Sequence, residues 1–165
     1  MNADLTLLPY GLAGSIYRSP LPFSPMFDPA DRVLNAYCKA GIDVVVMLTQ
    51  PKEVQRLIGM NLAERYQELG FDVITVPIAD FSVPEVGALN EPIQETLRAA
   101  RDGQTVVIHC HAGLGRTGMF AACLAKVVFG MDGMEARAWV QQHIPHAVET
   151  GEQFEYVLSF ELSEE

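Results

Sequence analysis

Positive charge is scarce in this chain. Its 165 residues carry eleven Lys and Arg against twenty-one Asp and Glu, a formal net charge of −10. Non-specific binding to nucleic acid or to an anionic membrane needs a basic footprint, so neither partner is expected. An anionic ligand would have to be captured by a local site working against the global field. Cysteine is scarce too. Cys38, Cys110 and Cys123 cannot all pair, and none stands in a zinc-like Cys-x-x-Cys spacing. Reduced thiols in a cytoplasm, with no metal and no cofactor, are therefore the expectation. A basic leader is lacking, since the first cation is Arg18, and no apolar run approaches a membrane span. Internal repeats, low-complexity tracts and linkers are also missing, which predicts one domain over residues 1–165.

What is present fits a compact globular protein: 49% hydrophobic residues and 19% charged ones. Leu5–Leu8 and Ser15–Tyr17 read as short strands, followed by a meander rich in proline (Pro20, Pro22, Pro25, Pro29). Asp28 as N-cap and Pro29 as first helical residue predict a helix reaching Lys39 or Ala40 and stopping at Gly41. Ile42–Leu48 is almost continuously apolar, as a strand covered on both faces must be. Lys52–Ile58 and Asn61–Leu69 look helical, Phe71–Ile78 extended, and Leu89–Asp102 helical up to Gly103. Three helices close the chain: Thr117–Phe129, Gly133–His143 and Gly151–Leu162. Phe120, Leu124, Val127 and Val128 share one face of the first and read as core, with Trp139 and Val140 anchoring the next helix on it. This alternation predicts an α/β domain: a mostly parallel, mixed sheet of four to five strands flanked by helices, with Ile42, Phe71 and Thr105 opening its inner strands.

The stretch from Gln104 to Gly118 carries the chemistry. Thr105–Ile108 reads as a buried strand, and Met119 begins an apolar helix. Strand, glycine-containing loop and helix N-terminus together aim several backbone N–H groups at one anion. Cys110 begins that loop and Arg116 ends it. A thiol attacks only as thiolate, and an unperturbed cysteine titrates near 8.5. The loop N–H groups, the helix N-terminus and Arg116 should all favour the charged form. Arg116 offers a planar fork that can hold two phosphoryl oxygens. Gly113 and Gly115 keep side chains out of the cradle, and Thr117 is placed to donate its hydroxyl to the sulfur. Cysteine is more commonly a small buried hydrophobe, but His-Cys-x-x-Gly-x-Gly-Arg-Thr-Gly behind a strand is far more restrictive than a bare Cys-x5-Arg.

The run His109-Cys110-His111-Ala112-Gly113-Leu114-Gly115-Arg116-Thr117-Gly118 resembles the signature loop of the cysteine-dependent protein tyrosine phosphatase superfamily, nearest its dual-specificity members. The resemblance implies a protein tyrosine phosphatase-like fold and metal-free hydrolysis of a phosphomonoester through a phosphocysteine. Cys110 would be the nucleophile, Arg116 the phosphate clamp, and His111, Ala112, Gly113, Leu114, Gly115 and Arg116 the phosphate-binding loop. The leaving group needs a proton, and Asp80 in Asp-Phe-Ser-Val-Pro-Glu resembles the family's mobile acid loop, although Ile78-Ala79 replace its usual Trp-Pro. Glu85 and Asp72 are weaker candidates for the acid. Gln153 stands at a water-orienting glutamine position and Glu149 where tyrosine-specific members carry their main glutamine. A capping box between Thr150 and Gln153 is the structural alternative. Ile144-Pro145-His146 replaces the usual Arg-Pro-Gly, removing one cation from the rim.

His109 is expected as a buried organiser of the loop, His111 as a modest specificity element, and His143 and His146 as packing or surface residues. Cys123 should be an inert core thiol. Cys38 could trap oxidised Cys110 if the fold brings them within about 7 Å. The expected substrate is phosphotyrosine in proteins, with phosphoserine and phosphothreonine, acted on by a monomer. A small soluble phosphate ester, an inositol phosphate or a phosphoinositide is the alternative, the last disfavoured because the loop lacks lysine. A non-catalytic phospho-ligand module would lack one of Cys110, Arg116 and Asp80. A sulfurtransferase would not share the Gly-Arg-Thr-Gly ending.

Overall fold

The computed structural model describes residues 4–163. Its elements are β1 (Thr6–Leu8), β2 (Ile16–Ser19), α1 (Val33–Ala40), β3 (Val44–Met47), α2 (Pro51–Ile58), α3 (Leu62–Glu68), β4 (Asp72–Thr75), α4 (Asn90–Arg101), β5 (Val106–His109), α5 (Gly115–Phe129), α6 (Gly133–His143) and α7 (Gly151–Ser159). The strands form one mixed sheet in the order β1-β2-β5-β3-β4. β1 pairs antiparallel with β2, and every other pairing is parallel.

The apolar runs of β3 and β5 follow from their position. Both are inner strands, and their side chains alternate between two cores. Val44, Val46, Val106 and Ile108 join the core under α4–α7. Val45, Met47 and Val107 join the core under α1–α3. A strand buried on both faces has no place for a polar residue. α5 lies deepest among the helices, with every residue from Gly115 to Ala125 buried. Gly118 is required there, because a Cβ would come within 2.7 Å of the Ala147 side chain and the Val148 backbone.

Three expectations about the elements are corrected. The run opened by Phe71 is not an inner strand. β4 forms the sheet edge and is half-exposed, while the short, less apolar β2 sits inside. α1 starts at Val33, not at Pro29, because Asp31 adopts a left-handed backbone (φ 53°) that no continuing helix allows. The N-cap is Arg32, and Asp28 reaches the helix start from a distance. Its buried carboxylate accepts from the backbone N–H of Arg32 (2.8 Å) and Val33 (3.3 Å), and from Phe23 (2.9 Å). α7 ends at Ser159, short of Leu162, where Lys126 Nζ donates to the carbonyls of Val157 (2.8 Å) and Phe160 (2.6 Å).

The parallel pairing settles what can meet. Cys110 follows His109 at the C-terminal edge of the sheet. Exposed Cys38 lies near the end of α1, just before β3 enters the opposite edge. Four strand residues span about 13 Å, so a Cys38–Cys110 disulfide is out of reach. Asp72 starts β4 in register with Val44 and is therefore also at the wrong edge to serve as acid.

Asp28→Ala strands three backbone donors, two of them at the start of α1. A loss of about 2 kcal/mol is expected, read as a lower midpoint in urea unfolding with an unchanged slope.

Candidate active site

The segment between β5 and α5 turns its carbonyls away from its centre. His111 O accepts from the Leu21 N–H (2.8 Å), Leu114 O from Gly118 (2.8 Å) and Val148 (3.3 Å). Ala112 O and Gly113 O accept from the Arg18 guanidinium at 3.0 and 3.1 Å. Among the described residues, no N–H from His111 to Arg116 donates to a backbone carbonyl outside the helix ladder. Leu114 supplies no side-chain cap, so the first turn of α5 keeps its free donors. Gly113 is the residue this geometry requires. Its φ is 79°, and a Cβ would come within 2.6 Å of both Arg18 Nη2 and Ser19 O. The result is a concave set of donors at a helix N-terminus, suited to a tetrahedral oxyanion.

Cys110 sits at the base of this concavity, 3% exposed, and receives the Thr117 hydroxyl at 3.1 Å. Behind it His109 is fully buried. Its Nδ1 lies 3.1 Å from Cys110 O and its Nε2 lies 2.9 Å from the Tyr66 hydroxyl. Donation from Nδ1 and acceptance at Nε2 satisfies both contacts with a neutral ring. Burial pushes the imidazole down to about 4, only partly opposed by its bond to the Cys110 carbonyl. His109 is thus the buried organiser expected, held neutral by desolvation.

Arg116 is 1% exposed and surrounded by acceptors. Glu53 grips it with both oxygens, at 2.7 Å to Nη1 and 2.8 Å to Nη2. Nη1 also donates to Ile78 O at 2.8 Å, and Asp80 Oδ1 lies 3.1 Å from Nη2. Nε has no protein partner among the described residues. Burial alone would lower this guanidinium, but Glu53, Cys110 and Asp80 together hold it above its ordinary value. Asp80 is 41% exposed and thus stands where the cradle meets solvent, next to Phe81 in a left-handed conformation (φ 62°). Cys110, Arg116, Thr117 and Asp80 therefore converge. Glu85 is exposed beyond Pro84, and its backbone carbonyl accepts from the Ala88 N–H and the Tyr156 hydroxyl.

Gln153 forms the capping box: its Oε1 accepts from the N–H groups of Glu149 (2.9 Å) and Thr150 (3.2 Å), and Thr150 Oγ1 accepts from the Gln153 N–H (3.1 Å). Its Nε2 donates to Ser82 O in the loop that carries Asp80 at 3.3 Å, so it also tethers that loop. Glu149 stands closer to the cradle, with Oε1 2.6 Å from where a Cβ on Gly115 would lie. His146 and Val148, just before it, have φ of 68° and 63°, uncommon for any side chain and most strained for a β-branched one. Ile144 turns into the core, which accounts for an apolar residue where an arginine would reach the rim. His143 packs edge-on against Trp139. His111 is held by the Ser24 hydroxyl at 3.1 Å and by the Phe27 ring edge-on at 4.9 Å. Burial lowers its imidazole, against the pull of Glu53 and Asp80. Cys123 is buried in α5 and its thiol is pushed up by desolvation.

Glu53, Arg18 and Ser24 had escaped the sequence reading. Glu53 stands third in a helix that begins with Pro51, where an acid is explained by the helix dipole alone. Arg18 lies in a short strand, and Ser24 in a meander with no periodicity.

Two consequences are measurable. Glu53→Ala leaves the buried guanidinium with only the part-exposed Asp80 carboxylate, and a loss of about 3 kcal/mol is expected in chemical denaturation. For His109, the folded ring titrates below the unfolded one, at about 4 against 6.5. The unfolded chain then binds the proton first, so stability is lost as pH falls from about 6.5 towards 4. His109→Gln should flatten that part of the stability profile.

A family model described as a polymorphic toxin system DSP-PTPase phosphatase matches residues 24–128. The chain is similar to mouse protein tyrosine phosphatase domain-containing protein 1, with 27% identity over 137 residues, covering 78% of this chain but 18% of the mouse protein. Among solved structures it resembles Tk-PTP in its active form (30% identity, 96% and 95% of the two chains, TM-score 0.78). It also resembles PTPMT1 in complex with PI(5)P (18% identity, 86% of each chain, TM-score 0.71), a likeness of fold alone. With the thiol, guanidinium and carboxylate meeting on this fold, the chain belongs to the dual-specificity and tyrosine phosphatase family.

Proposed function

We propose that the chain hydrolyses phosphotyrosine in proteins, and phosphoserine and phosphothreonine beside it, by two displacements at phosphorus. The single observation that carries this reading is the meeting of Cys110 Sγ, the Arg116 fork and Asp80 around one loop of free donors. In the first step the Cys110 thiolate attacks phosphorus, and the bond to the leaving oxygen breaks. Arg116 holds two equatorial oxygens through Nε and, once Asp80 turns from it towards the leaving oxygen, Nη2, while the loop N–H groups take the developing charge. Asp80 gives its proton to the leaving oxygen as it departs. In the second step water attacks the phosphocysteine, its proton returns to Asp80, and the sulfur leaves as a thiolate stabilised by Thr117. Orientation of that water falls to Gln153 once its Nε2 is free of Ser82, with Glu149 beside it.

Several features support a protein substrate over an inositol lipid. The loop side chains His111, Ala112 and Leu114 bring one titratable group and no lysine, and the net charge is −10. The exposed Phe81 beside Asp80 and Phe27 against His111 line the approach with aromatic rings suited to an aryl phosphate. The setting in this reading is a reducing cytoplasm, with the protein acting as a monomer and without metal.

The test is hydrolysis of an aryl phosphate at mildly acid pH. Cys110→Ser should have no measurable turnover, and Asp80→Asn should be slowed by roughly 10²–10⁴-fold. Full activity of the serine variant, or dependence on an added metal ion, would overturn the mechanism. A panel of phosphotyrosine, phosphoserine and phosphothreonine peptides, soluble inositol phosphate and PI(5)P vesicles reads the substrate, with the phosphotyrosine peptide expected fastest.

A further inference from the structure

A second guanidinium lies beneath the cradle, and the mechanism above gives it no part. Arg18 is 9% exposed, in an inner strand, yet it forms no ion pair among the described residues. Arg116, by contrast, is neutralised by a bidentate Glu53. A buried cation without a carboxylate partner is costly unless something else is negative nearby. The partners of Arg18 are the two loop carbonyls, through Nε to Gly113 O and Nη2 to Ala112 O, and the Thr6 hydroxyl at 3.5 Å from Nη1. Its close approach is built in, because any side chain at position 113 would strike Nη2.

We propose that Arg18 is a positioning residue for the reaction at Cys110. It turns the Ala112 and Gly113 carbonyls outward so that the neighbouring N–H groups converge, and it lends its uncompensated charge to the thiolate and the bound phosphoryl group. The inference rests on the phosphatase reading for its chemistry. Hydrogen-bonding and charge act together here. A peptide unit whose oxygen is held from behind presents its next N–H to the front, and two adjacent units are held by one rigid fork. Desolvation lowers the Arg18 guanidinium, and the attraction of Cys110 followed by Tyr37 opposes this, so the strand cation and the thiol are electrostatically linked. The other groups facing Cys110 are Arg116 and Thr117 from α5, His109 from β5 and His111 in the loop. Glu53 and Asp80 reach it through Arg116, and Glu149 lies against Gly115. Of the cations in this set, Arg116 alone is offset by carboxylates. The charge of Arg18 is therefore the one left over for an anion at the loop.

The experiment compares wild type, Arg18→Met and Arg18→Lys, all carrying Cys38→Ser so that the exposed thiol is silent. Two readouts need no turnover: the pH dependence of Cys110 alkylation by iodoacetamide, and tungstate affinity by calorimetry. Thermal melts verify folding. For Arg18→Met the alkylation profile should move up by about one pH unit, and tungstate should bind roughly tenfold more weakly. Arg18→Lys keeps the charge but not the fork, so its alkylation profile should stay close to wild type while tungstate binding still weakens. A folded Met variant with both readouts within twofold of wild type would overturn the proposal. If the Met variant does not fold, an unchanged tungstate affinity in Arg18→Lys overturns it instead. A wild type that is alkylated at Cys110 and binds tungstate, yet leaves aryl phosphates intact, would sink the phosphatase reading and leave this comparison standing.

Discussion

The burial of Arg116 sets the conditions for everything around it. A guanidinium at 1% exposure is tolerable only when its charge is met, and here every donor but Nε is also taken. Glu53 meets the charge with two oxygens, which requires α2 to dock against the start of α5. Ile78 supplies a carbonyl, which requires the chain leaving β4 to pass directly over the same helix. That passage carries the next loop, and with it Asp80, to the rim. A single buried cation thus ties α2, the exit of β4 and the loop of Asp80 to one helix N-terminus.

The loop beside Arg116 works by the opposite device. It has almost no side chains to contribute, and its oxygen atoms are drawn outward by Leu21, Arg18, Gly118 and Val148. What remains in the middle is a ring of donors whose position depends on neighbouring strands and segments. The left-handed residues nearby, Phe81, His146 and Val148, mark where the surrounding chain has been bent to accommodate it. The cradle and its supports are therefore one packing unit, not a motif inserted into a scaffold.

Legibility from the sequence followed the range of the interactions. The buried strands β3 and β5 were readable because covering both faces demands uninterrupted apolar residues. The helix stops at Gly41 and Gly130 were readable because a left-handed C-cap favours glycine locally. The inner position of β2 was not readable: three or four residues of Ile-Tyr-Arg-Ser hold no pattern, and the pairing with β5 decides their burial. The start of α1 failed for a related reason. The N-cap is Arg32, not Asp28, whose carboxylate accepts from the helix start only across a turn whose left-handed Asp31 leaves no clear sequence mark.

The sequence by itself brought out Cys110, Arg116, Thr117 and Asp80, the side chains that the fold gathers around one loop. Each is specified by chemistry that few residue types can supply, within short stretches of fixed spacing. Only the tertiary structure decided what neutralises Arg116, what lies beneath Gly113 and that Gln153 reaches Ser82. Those are contacts between residues 63, 95 and 71 positions apart, and chain separation of that kind leaves no trace in local pattern. It likewise separated Cys38 and Asp72 from the site, because the parallel strands carry them to the far edge of the sheet from Cys110.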